Sequence, residues 1–121
     1  LPDILNDDVR NALLDQFIVA FNNEDYTALY GMLGPAARTQ IDEEETVDEF
    51  RKLAQYFHGV EEGAFTHASL NAAQGNTRVY TLHYLVKLPE SSEFGVKGKL
   101  TITIAVQGDS YQVYGIRLNG G

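Results

Sequence analysis

The chain has 121 residues, of which 17 are acidic and 9 are Lys or Arg, giving a formal charge of −8. Its length suits one domain spanning residues 1–121, and the 34 Leu, Ile, Val and Phe residues lie well above the roughly 20 % below which chains stay unfolded. The acidic balance argues against nucleic acid as a partner, the lack of cysteine removes disulfides, thiolate zinc sites and cysteine nucleophiles, and no apolar run reaches the ~18 residues of a membrane span.

The first half reads as helix. From Asp8 to Asn22 the apolar residues Val9, Leu13, Leu14, Phe17, Ile18 and Phe21 recur three and four apart, as one buried stripe requires. Asn6 or Asp7 can cap this helix, and Asn22-Asn23 can end it because Asn tolerates a left-handed turn. Asp25 caps a short second helix through Tyr26, Leu29, Tyr30 and Leu33, stopped by Gly34-Pro35. Thr46-Val47-Asp48-Glu49 predicts a capping box for a third helix, with Val47, Phe50, Leu53, Ala54 and Phe57 on its apolar side and Gly59 at its end. The acidic run Asp42–Glu45 lacks the alternating ligands of a calcium loop and reads as a solvated approach to that helix.

The second half alternates as strands do. Tyr80, Leu82, Tyr84 and Val86 form one face of a strand, and Val79, Thr81, His83 and Leu85 form the other. After Pro89-Glu90-Ser91-Ser92, Leu100, Ile102, Ile104 and Val106 alternate with Lys99, Thr101, Thr103 and Ala105. Tyr111 to Leu118 returns as a last strand, and Glu62 to Ala73 is a weaker first one. Short turns at Gln74-Gly75-Asn76 and Gly108-Asp109 imply an antiparallel meander. The predicted class is α+β: three N-terminal helices packed in the concave face of a curved four-stranded antiparallel sheet. Residues 1–62 carry 14 acids and 4 bases, and residues 63–121 carry 3 acids and 5 bases, as expected where helix faces are solvated and strands are not.

The segment Phe17-Ile18-Val19-Ala20-Phe21-Asn22-Asn23-Glu24-Asp25-Tyr26, followed by Leu29-Tyr30 and Leu33, resembles the opening of nuclear transport factor 2-like domains. The closing Tyr111-Gln112-Val113-Tyr114-Gly115-Ile116 resembles the last strand of extracytoplasmic bacterial members of unknown function. The resemblance implies a cone, with the sheet curled around the long helix and a pocket at its open end. It does not imply one function, because this fold hosts isomerases, dehydratases, hydrolases and binding modules. The chain starts at Leu1 and its only methionine is Met32. The chain therefore reads as processed or cut, which leaves room for a removed signal peptide or anchor; the resemblance implies a periplasmic or secreted location, and a cytoplasmic one is the alternative.

Ketosteroid isomerases share the first-helix pattern and use a Tyr in the oxyanion hole beside a neutral carboxylic acid. The matching position here is Phe17, and their general-base Asp falls on Ile41. His58 ends a helix, His67 lies on the weakest strand and His83 points outward. None forms a catalytic pair with an acid, and no His pair shows helical or hairpin ligand spacing, so neither metal nor cofactor is expected. The preferred reading is a non-catalytic domain that binds a small ligand or a partner; a pocket enzyme of isomerase or hydrolase type and a structural assembly module are the alternatives. Seven Tyr and no Trp allow two readings: rings that fill the core edge and send their hydroxyls to backbone groups or water, or an aromatic-walled pocket at Tyr30, Tyr80, Tyr84 and Tyr114, suited to a small apolar or amphipathic molecule. The resemblance also implies a homodimer through the outer sheet face, at Val79, Thr81, His83, Leu85, Thr101 and Thr103. Its neutral middle suits an interface core.

Overall fold

In a computed structural model describing residues 1–121, helices fill the first half of the chain and strands the second. A 3₁₀ turn at Asp3–Leu5 leads into α1 (Asp7–Asn22), α2 (Tyr26–Met32), α3 (Pro35–Arg38) and α4 (Glu43–Phe57). The strands are β1 (Glu62–Gln74), β2 (Thr77–Lys87), β3 (Lys97–Gln107) and β4 (Ser110–Gly120), paired antiparallel in the order β1-β2-β3-β4. The α+β class is as expected, but there are four helices rather than three. Gly34-Pro35 does stop α2, and Pro35 then opens α3 at the first helical position, where its missing N–H costs nothing.

Side-chain caps set the helix starts. Asn6 Oδ1 accepts from the Val9 amide at 3.0 Å, and Asp25 Oδ1 accepts from the Ala28 amide at 3.1 Å. The start of α4 corrects the expected capping box. The helix begins one turn earlier, with Asp42 Oδ2 accepting from the Glu45 amide at 3.0 Å. Glu43, Glu44 and Glu45 form its first turn, where the positive end of the helix dipole favours carboxylates. Thr46 is instead a buried helical residue whose hydroxyl donates to the Asp42 carbonyl at 2.9 Å. Asp42→Ala is therefore expected to cost about 1 kcal/mol, measured as a lowered midpoint in a urea melt. The chain takes positive φ after α1 at Glu24 (57°), one residue beyond the predicted Asn22-Asn23, and after α4 at His58 (63°) and the predicted Gly59 (131°).

One face of the sheet is covered by the helices. Leu82, Tyr84 and Val86 of β2 and Leu100, Ile102, Ile104 and Val106 of β3 are buried there together with Phe17, Phe21, Leu29 and Phe57. Tyr80, expected in the same set, is only half-buried. The β2–β3 connection folds back on the end of α4, with the Phe94 ring 4.6 Å from that of Phe57 and the Glu93 amide bonded to the Tyr56 carbonyl at 2.9 Å. On the outer face Val79, Thr81, His83, Thr101 and Thr103 are half-buried and Leu85 is exposed. Strand β1 carries two register shifts, between Phe65 and His67 and between Leu70 and Ala72. Such bulges each insert one unpaired residue and bend the strand.

Candidate functional site

The four tyrosines do not converge. The Tyr84 hydroxyl is buried under α1 and donates to the Arg10 carbonyl at 2.8 Å, and burial pushes its pKa above the ordinary tyrosine range. The Tyr30 hydroxyl lies 2.8 Å from the Ile41 carbonyl and 3.1 Å from that of Arg38, so it ties α2 to the α3–α4 connection. Tyr114 is exposed at the extra residue of β4, where the register slips between Thr103 and Ile104. Tyr80 sits half-buried on the helix-facing side of β2.

A half-open cleft with an apolar floor lies between α2, α4 and β4, with a volume of about 370 Å³, the small end of the range for small-molecule sites. Leu29, Leu33, Phe50, Leu53, Ile116 and Leu118 form that floor. Ile41 stands in its wall, and Thr46, Glu49, Arg117 and Asn119 supply polar atoms. Thr46 spends its one proton on Asp42, so it faces the cleft as an acceptor. Neither Glu49 nor Arg117 takes part in the three ion pairs of the chain, which join Asp7 to Arg10, Asp48 to Arg51 and Glu61 to Lys87.

Strand β4 is the edge of the sheet, and its edge groups belong to the cleft. The start of that edge is covered, because Leu33 bridges Val113 in parallel and the Gly34 amide donates to the Val113 carbonyl at 2.8 Å. Further along, the Gly121 amide donates to the Lys97 carbonyl at 2.9 Å. Antiparallel pairs alternate between bonded and non-bonded. Asn119 and Arg117 therefore bond to Lys99 and Thr101, while Leu118 and Ile116 turn their backbone N–H and C=O groups towards the open edge. The predicted meander already made this last strand a sheet edge, but nothing in the sequence signalled that the helices leave a cleft beside it.

On the opposite, outer face two histidines meet. His67 and His83 are directly paired across β1 and β2, with ring centroids 4.2 Å apart and planes within 3°. This corrects the expectation that no His pair has hairpin ligand spacing. The register set by Gln74↔Thr77 would put His83 opposite Ala68, and the bulge between Leu70 and Ala72 shifts it by one residue. Burial, then the neighbouring His67 and Lys99, hold the His83 pKa below the ordinary imidazole range. His58, at the end of α4, stands apart as an exposed residue. No protein-family model matches the chain, and no curated protein is detectably similar to it.

Proposed function

We propose that this chain is a non-catalytic binding domain that takes one small amphipathic molecule in the cleft between α4 and the free edge of β4. The observation that carries the reading is an apolar floor lying beside the unpaired backbone groups of Ile116 and Leu118. Burying an apolar group of the ligand gains about 25 cal/mol per Å², and the edge amides and carbonyls fix its orientation, as a few convergent polar groups do in such sites. Ile41 supports binding over catalysis. It lines the cleft, stands where the resemblance would put a general base, and has no proton to take or give. The helices-then-sheet order supports the resemblance to nuclear transport factor 2-like domains, and a periplasmic or secreted location rests on that resemblance alone.

The test uses N-acetyl-leucine methylamide, which has one apolar side chain between two amides. Titration followed by backbone amide NMR should give saturating shifts at Ile116 and Leu118 in roughly the millimolar range. Leu53→Trp should fill the cleft and weaken binding about tenfold or more. Shifts scattered over the surface, or unchanged in Leu53→Trp, would sink the reading.

The same resemblance carries a homodimer through the outer sheet face, supported by Leu85, which is 55 % exposed on the same face as half-buried Val79, Thr81 and Thr101. Light scattering should then give twice the 13.4 kDa of one chain, and Leu85→Glu should halve the mass. A monomeric parent chain rejects the dimer, and a dimer indifferent to Leu85→Glu places its interface elsewhere.

A further inference from the structure

We propose that His67 and His83 form a binding site for a divalent late transition-metal ion such as Zn²⁺ or Cu²⁺, on the sheet face opposite the cleft. Two hydroxyls flank the two rings. Thr66 Oγ1 donates its only proton to the His83 carbonyl at 3.1 Å, so its contact with His67 Nδ1 at 3.0 Å must be donated by the ring. The His67 proton is thereby held on Nδ1, and Nε2 keeps a free lone pair. Ser69 Oγ lies 3.1 Å from His83 Nε2 and 3.4 Å from Asn71 Oδ1. With the hydroxyl proton turned to Asn71, the His83 ring donates to Ser69 and keeps its lone pair on Nδ1, the tautomer that binds a metal here.

Two neutral imidazoles result, each with one nitrogen bonded to a hydroxyl and the other open. That is the usual arrangement of metal-ligating histidines, whose second ring N–H is held by a neighbouring oxygen that fixes the tautomer. Binding requires the imidazoles to be unprotonated. The rings are stacked with centroids 4.2 Å apart and planes within 3°, so their lone pairs lie in parallel planes and the rings must turn out of the stack to meet one ion at the ~2.0–2.1 Å of a metal–nitrogen bond. Imidazole nitrogen suits zinc, copper and nickel rather than magnesium or calcium, which prefer oxygen. Only two side chains contribute, so water completes the coordination and the site is an open one.

Zinc chloride titrated into the whole chain, with the imidazole resonances followed by NMR, tests the assignment. One ion per chain is expected. His67 and His83 should shift together, with the metal on Nε2 of the first and Nδ1 of the second, while His58 stays still as the internal control. His67→Gln and His83→Gln should each weaken binding about tenfold or more. Ser69→Ala keeps both ligands but frees the His83 ring, and should produce a smaller loss. The titration is repeated on Leu85→Glu. Binding that persists there in a monomer belongs to one chain, as proposed. Loss of binding in that monomer, equal shifts at His58, or unchanged affinity in both His variants would overturn the site.

Discussion

Phe17→Ala is expected to cost about 3–5 kcal/mol, the usual range for truncating a buried aromatic ring. Phe17 has no exposed surface. Its ring stacks on Phe21 at 5.3 Å and 14° and meets Phe50 at 6.5 Å and 60°, so one side chain joins α1 to α4 beneath the sheet. The surrounding residues are held by the sheet ladder and by helix caps, which limits how far they can collapse into the hole. Because Phe50 also lines the cleft, the same truncation should loosen that wall and weaken cleft binding. Urea melts compared with Val19→Ala, at a position 60 % exposed on the same helix, provide the check. The control should move by no more than about 0.5 kcal/mol. Equal midpoints for the two variants would mean that α1 presents a different face to the sheet.

The helix stripe through Phe17 was legible in the sequence because helix burial repeats every three to four residues. The inward residues of β2 and β3 were legible because strand burial repeats every two. What escaped has a physical reason in each case. Asp42 and Thr46 are both capping residues with a glutamate three positions on, so local chemistry offers two starts for α4. The earlier one wins by adding a turn of acids at the positive end of the helix. The tyrosine count says nothing about hydroxyl partners, and Tyr84 finds its own 74 residues away in Arg10. The edge position of β4 was implied by the predicted meander, but the cleft beside it depends on how α2 and α4 pack against that edge, a tertiary arrangement that residue patterns along one element do not encode. The histidine pair depends on a one-residue bulge near Asn71, and alternation alone does not reveal such an insertion.

Asn22→Ala should be the most damaging substitution of a polar side chain, at about 2–4 kcal/mol. Asn22 Nδ2 donates to the Val60 carbonyl at 2.7 Å, and the Val60 amide donates to Asn22 Oδ1 at 2.8 Å. One side chain thus satisfies both backbone groups of a residue that is 1 % exposed. It also holds the α4–β1 connection, with its positive-φ residues His58 and Gly59, against the end of α1. Alanine leaves the Val60 N–H and C=O unpaired, and each such group costs about 1–3 kcal/mol when water cannot reach it. Asn22 itself lies near the surface, so some water returns and the sum falls below the maximum. Asn22→Asp separates the two bonds. An ionised carboxylate still accepts from the Val60 amide, but it sets a second oxygen against the Val60 carbonyl, whereas the protonated acid can donate to that carbonyl. The fold therefore favours the protonated form and raises the carboxyl pKa above its unfolded value of about 3.9. The penalty is present above that raised pKa and is relieved as pH falls through it. Urea midpoints of Asn22→Asp and the parent chain should converge as the pH is lowered towards about 4. A gap that stays constant with pH would show that the Val60 carbonyl does not depend on Asn22.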